Sequence, residues 1–179
     1  MSAIADQARI AVMLADYATV DAGQKINVIG GGFGFTGVDP TTALTAPQAL
    51  LVTVGVPPEL YGDEYVLTVT LQDASGDPVQ LPGPSGAAQP MRVAQTVSIE
   101  EPRFPPHIYV PKKVVWAQTT AIFNFAGGLP LPIGAHYTWA VDIDGTHDPR
   151  WSVSFYVPGP PPQAVFGGPV GPANIPGVA

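Results

Sequence analysis

Few residue patterns in this chain have the spacing that chemistry demands. The first is "NVIGGGFGFTG", residues 27–37, in which Gly32, Gly34 and Gly37 stand in G-x-G-x-x-G spacing behind the strand-like run "KINVI". In a dinucleotide site such glycines turn the chain tightly, and a helix then begins with its N-terminus facing the pyrophosphate. Here Pro40 and Pro47 interrupt any helix that would follow. The next apolar run, Leu50 to Val56, is β-branched and reads as a strand. The acid expected on the ribose falls in a loop, where Glu59 follows Pro57 and Pro58. The glycines therefore read as a strand end with a bulge or close packing.

The densest polar cluster is Asp142, Asp144, His147 and Asp148. Carboxylate oxygens suit a hard cation. The spacing lacks the third oxygen and distal Glu of a calcium loop, and "DIDGTHDP" also reads as an Asp-Gly hairpin turn, the favoured reading. His107, His136 and His147 are scattered, and no G-x-S-x-G elbow is present. Ser85 sits in the proline-rich "GPSGA". Asp16 and Asp21 flank Tyr17 as turn residues, and Lys112 and Lys113 read as solvated or as a charge pair with Glu100 and Glu101. The expectation is a chain with no catalytic residues, no cofactor and no metal.

Composition narrows the partners. Only 12% of the 179 residues are charged, about half the usual share, while 46% are hydrophobic. Part of the surface must be apolar, or covered by something else. Asp and Glu number 14 against 7 Lys and Arg, with no basic run beyond Lys112-Lys113. Nucleic acid, which requires clustered cations, is not expected. No apolar stretch is long enough to span a membrane. The first residues carry Asp6 and Asp16 and no basic start, unlike a secretory leader. Absence of cysteine excludes disulfides and fits synthesis inside a cell.

Alternation identifies the elements that hold these residues. "EYVLTVTLQD" places Tyr65, Leu67, Val69 and Leu71 on one face. "AHYTWAVDIDG" places Tyr137, Trp139, Val141 and Ile143 together, opposite His136, Thr138, Ala140 and Asp142. "RWSVSFYV" turns Trp151, Val153, Phe155 and Val157 inward. "ALLVTVGV", "QKINVIGGGF" and "TTAIFNF" read as further strands; the run over residues 9–16 has alanines that also suit a helix, and its Ile10, Val12, Leu14 alternation favours a strand. The 22 prolines and 20 glycines punctuate short strands. The predicted fold is an all-β antiparallel immunoglobulin-like sandwich of seven or eight strands, over residues 1–157. An irregular, proline-studded insert is expected over residues 81–113, with one strand at Arg92 to Ile99. Residues 158–179 hold seven prolines and five glycines and form an extended arm.

The opening "LADYATVDAGQKINVIGGGF" resembles a family of uncharacterised bacterial and actinobacteriophage proteins with a small β-sandwich. The matching residues are Ala15, Asp16, Tyr17, Ala18, Asp21, Lys25, Asn27, Gly30, Gly31, Gly32 and Phe33, with Gln24 inserted between Gly23 and Lys25. "YVLTVTLQDASGDPV" and "LPIGAHYTWAVDIDG" also resemble it, and the likeness covers roughly residues 8–157. It carries no site residues. Its phage members imply a virion protein.

The resulting expectation is a non-enzymatic interaction protein of a phage virion, such as a capsid decoration or minor structural protein. It would dock through its loop and arm on capsid or other virion proteins and on copies of itself, with no small molecule. The expected interface residues are Phe104, Tyr109, Trp116, Val165, Phe166, Val170 and Ile175. Tyr, Trp and Phe often anchor interfaces; spaced apolar groups on a stiff arm suit docking. The virion, after synthesis in the host cytoplasm, is the expected location, with the bacterial cytoplasm as alternative. The alternative function is a small-ligand-binding β-sandwich module or cryptic enzyme.

Overall fold

A computed structural model describes residues 2–21, 25–83 and 85–159. Its strands are β1 (Arg9–Ala15), β2 (Tyr17–Val20), β3 (Ile26–Ile29), β4 (Gln48–Val56), β5 (Glu64–Gln72), β6 (Gln80–Pro82), β7 (Ala88–Pro90), β8 (Arg92–Ser98), β9 (Ala117–Phe125), β10 (Ala135–Ile143) and β11 (Thr146–Val157). Among the described residues the helices are one five-residue turn at Ala3–Gln7 and a 3₁₀ turn at Pro58–Leu60. The fold is all-β, and every strand pairing between the named strands is antiparallel.

Two sheets carry the structure. One has the order β1-β4-β9 and the other β11-β10-β5-β8, with two separate ribbons, β2-β3 and β6-β7. The larger sheets thus contain seven strands in all. Numbered by themselves along the chain, the first, second and fifth form one sheet, and the third, fourth, sixth and seventh form the other. In an immunoglobulin constant domain the fourth strand lies beside the fifth. Here it lies beside the third.

The core lies where the sheets face each other. Leu50, Val52, Val54 and Val56 of β4 meet Leu67, Val69 and Leu71 of β5 and Trp139, Val141 and Ile143 of β10 in one buried cluster. The Phe125 ring stacks on Trp139 across the sheets, centroids 5.0 Å apart and planes 13° from parallel. The inward sets read from alternation are the ones buried, with Val153 only partly covered. Thr68, Thr70 and Ala140 lie on the opposite face yet are also buried. They are small residues in the interior strands β5 and β10.

The segment 81–113 is less irregular than its prolines suggest. The β6-β7 ribbon pairs Gln80 with Pro90 and Pro82 with Ala88. Its prolines stand at strand ends, where a missing donor costs little. β8 follows at Arg92.

One inward residue does not match its surroundings. Gln48 begins β4 on the core face and is 2% exposed, yet neither amide atom has a hydrogen-bond partner. The indole N–H of Trp139 has none either. A buried amide without partners costs stability, while an apolar group of the same shape does not. Gln48→Met keeps the unbranched shape and should stabilise the fold by about 1–2 kcal/mol. Urea unfolding should show a higher midpoint at unchanged slope; a lower midpoint would show that the amide is satisfied.

Candidate interaction surfaces

Strand register divides the sandwich into two ends. One end holds Val56, Ala117, Glu64 and Ser98 with the connection from Ile99 to Trp116, and is the loop end. The other holds Ala15, Gln48, Phe125, Ala135 and Val157, and is the arm end, since β11 ends there at Val157. Gly159 lies beside Gly134 there.

At the loop end the three aromatic residues singled out from sequence have different settings. Trp116 is half-buried, with the Arg9 guanidinium 4.3 Å from its ring centre and Gly55 beneath it. A Cβ at position 55 would rest in ordinary contact with the indole, 3.8 Å from it. Tyr61 ties the same stretch down by donating its hydroxyl to the Val115 carbonyl. Burial of that phenol, then the Glu101 and Glu59 charges, raise its pKa. Trp116 thus covers the sheet. Tyr109 is 90% exposed, and Phe104, Ile108 and Val114 are exposed with it. Val165, Phe166, Val170 and Ile175 lie outside the described residues.

The charges of this loop pair differently from the lysine–glutamate alternative. Glu100 meets Arg103 at 3.5 Å, both well exposed. Lys112 and Lys113 are exposed, and Lys113 has a positive φ of 58°. A cleft of about 530 Å³ runs between Tyr61, Gly62 and Ile99 to Arg103.

The arm end presents a second apolar patch. Phe35 is 69% exposed and Ile29 64%, with Tyr17 and Ile133 also exposed. The sequence places Ile29 in a strand, "QKINVIGGGF", without fixing which of its faces is buried. Ala18 of the β2-β3 hairpin packs on the outer face of the first sheet, with Ala15, Ala49 and Leu51. Tyr17 and Ile29, paired across the hairpin, lie on its other face. Phe35 then pairs with Tyr156 at the edge of β11. A cleft of about 610 Å³ opens at this same end, lined by Asp73, Asp77, Pro78, Pro130, Pro132 and Tyr137 among others. Its Asp73 Oδ1 accepts from the Ser75 and Asp77 amides.

The glycine run has a local role. Gly30 takes a positive φ of 64°, and a Cβ there would sit 1.9 Å from Asp16 Oδ2. The Gly32 amide donates to the Leu14 carbonyl at 2.8 Å. The close neighbours are thus a carboxylate at Gly30 and Met13 with Val28 at Gly31, rather than backbone or rings; Gly32 faces open space. No helix follows.

The acidic cluster forms a turn and a separate ion pair. Asp144 and Gly145 have φ of 49° and 75° and join Ile143 to Thr146, the two-residue turn that favours Asp-Gly. Asp144 Oδ1 accepts from the Val66 amide at 2.8 Å. Asp142 lies 3.3 Å from His147 Nδ1, and Asp148 pairs with Arg150 at 2.6 Å. Among the described residues no three His, Asp or Glu side chains converge for a metal. His136 instead lies against the Tyr156 ring. No described helix is long and apolar enough to cross a membrane. No protein-family model matches the chain, and no curated protein matches it.

Two predictions test these assignments. Gly30→Ala must strain the backbone and strike Asp16, so it should cost about 1–3 kcal/mol. Gly32→Ala should cost less, since it meets only the backbone penalty; equal losses on urea unfolding would remove the role given to Asp16. The second concerns Asp148. Hydrogen bonds from the Arg150 side chain and backbone hold its carboxyl down at about 2. A lowered pKa means the pairing is complete above the ordinary carboxylate range and fades as pH falls toward that value. NMR titration should find the midpoint near there, and Arg150→Ala should raise it toward the ordinary range, short of a full return because the backbone N–H of residue 150 still donates to Asp148. An unchanged midpoint in the variant would overturn the assignment.

Proposed function

We propose that this chain is a non-enzymatic structural protein of a phage particle, a capsid decoration or minor structural protein. It docks through the long loop and the C-terminal arm on capsid or other virion proteins and on neighbouring copies. The observation that carries this reading is the placement of large apolar side chains in water at both ends of the sandwich, Tyr109 and Phe35 foremost. A contiguous apolar surface on a domain is a mark of an interface. Aromatic side chains are the usual anchors there. The low charge content of the chain agrees, because interface cores are depleted of charge. The resemblance of residues 8–157, outside the proline-rich insert, to uncharacterised bacterial and actinobacteriophage proteins supports the particle as the assembly through its phage members. The small-ligand alternative has its best seat in the cleft beside Tyr137. Among the described residues the charged side chains lining that cleft are Asp73 and Asp77, and Asp73 is already engaged by turn amides.

The test is made on particles purified from cells carrying the gene in its native genomic context. Mass spectrometry should find the chain in many copies per particle. The double variant Phe104→Ser, Tyr109→Ser should fold as the parent does by circular dichroism. It should need at least about tenfold more protein for half occupancy of particles lacking the chain. Removal of residues 158–179 should act in the same direction. Absence from particles, or unchanged occupancy in both variants, would overturn the reading.

A further inference from the structure

The edge of the second sheet is a surface with a defined partner. β8 pairs with β5 on one side, from Thr70 opposite Arg92 to Glu64 opposite Ser98. The bonds flanking this ladder, Leu71 N–H to Met91 O and Ile99 N–H to Asp63 O, fix its phase. In an antiparallel pair every second residue exchanges both backbone bonds with its neighbour. Odd-numbered residues of β8 therefore bond to β5. The backbone N–H and C=O groups of Arg92, Ala94, Thr96 and Ser98 point the other way. Among the described residues none of those groups meets another backbone group.

Among the described residues, little protects this edge beyond Arg92 at one extremity. Open edges are normally protected by lysine, proline or a bulge. β8 has no proline, no lysine and no register shift, and Arg92 is its one charge. The connection that follows it, from Ile99, leaves at the loop end.

The sequence of β8, "RVAQTVS", is complementary to itself when reversed about Gln95. We infer that β8 pairs antiparallel with β8 of a second copy, centred on Gln95, to join two four-stranded sheets into one. In this register Arg92 faces Ser98 of the copy, Ala94 faces Thr96, Val93 faces Val97, and Gln95 faces itself. The four outward-pointing residues become the hydrogen-bonded positions, giving about eight ladder bonds across the two-fold axis. On the core side Val93, only partly covered in one chain, gains Val97 of the copy, twice over. On the outer side Glu64 is bonded to Ser98, whose hydroxyl donates to Glu64 Oε1 at 2.7 Å. The same register sets Arg92 of the copy next to that pair. Within one chain Arg92 and Glu64 are at opposite ends of the ladder and cannot meet. The two copies thus exchange two arginine–glutamate contacts. Shifting the register by two residues loses both the charge match and two ladder pairs. A seven-residue edge buries little area, so the pairing is reversible and concentration-dependent. This inference does not depend on the particle reading.

Sedimentation of the purified chain over a range of concentrations tests it. The parent should pass from monomer to dimer. Hydrogen exchange should slow at Ala94 and Thr96 as the dimer forms. Thr96→Pro removes an outward N–H and none of the β5 ladder, so it should give a folded monomer at every concentration. Arg92→Glu and Glu64→Arg should each weaken the dimer about tenfold or more, because each turns attraction into repulsion twice. The double exchange Arg92→Glu, Glu64→Arg should restore it. The exchange series stands even if the proline variant fails to fold. A parent that stays monomeric, or a dimer that ignores the charge reversals, would overturn the pairing.

Discussion

β4 is apolar on both of its faces, and most of the architecture answers to that constraint. Its even-numbered side chains, Leu50 to Val56, build the inter-sheet core. Its odd-numbered ones, Ala49 and Leu51, point away from that core and would meet water. Burial of such side chains is the main favourable term in folding. The chain therefore needs a second cover, and β2-β3 supplies it by laying Ala18 on Ala15, Ala49 and Leu51. A two-stranded ribbon has two faces and only one can serve this purpose. The other, with Tyr17 and Ile29, is left outside. The exposed apolar patch at the arm end is thus a consequence of how β4 is buried.

The same ribbon explains the glycine run. The chain must leave β3 close to the start of β2, where Asp16 already accepts the turn by donating its amide to the Ile29 carbonyl. Gly30 then passes so near the Asp16 carboxylate that no side chain fits. The spacing shared with dinucleotide loops has its origin in this return. The chain runs on to Phe35 and the edge of β11, and no phosphate-facing helix begins.

Alternation made the inward faces of β5, β10 and β11 legible, because a half-buried strand writes its burial into every second residue. Trp139 and Phe155 could be placed in one core on that basis. Pairing order was not legible, because the position of the fourth main strand beside the third depends on contacts between distant segments. The β6-β7 ribbon was hidden for a different reason. Its three-residue strands are too short to show a period, and their prolines mimic loop composition. For the surfaces, the sequence held the aromatic residues of the loop but not their settings. Trp116 and Tyr109 differ in exposure because Arg9 and Gly55, far off in the chain, receive only the former. Ile29 could not be read as exposed, since a strand with so weak a polar face does not show which side meets water, and Phe35 falls beyond that run, where no period exists to read.

The low charge of the chain links these features. A protein with few charged residues has few means of protecting an open edge or an apolar end. In β8 a lone arginine occupies one extremity, and the complementary glutamate stands beside the other. A single charge in the middle of the strand would repel its own copy in the two-fold pairing that uses the whole edge. Placed at the end, it repels only registers that bring Arg92 near Arg92 of the copy, and it favours the one that brings it to Glu64. The same residue thus guards against disordered edge-to-edge association and selects one ordered form of it. The two ends of the sandwich differ in this respect. Phe35 stands between Gly34 and Gly37 with no charged residue beside it in the chain, so shape must choose what covers it, whereas Tyr109 shares its connection with the exposed Glu100, Arg103, Lys112 and Lys113.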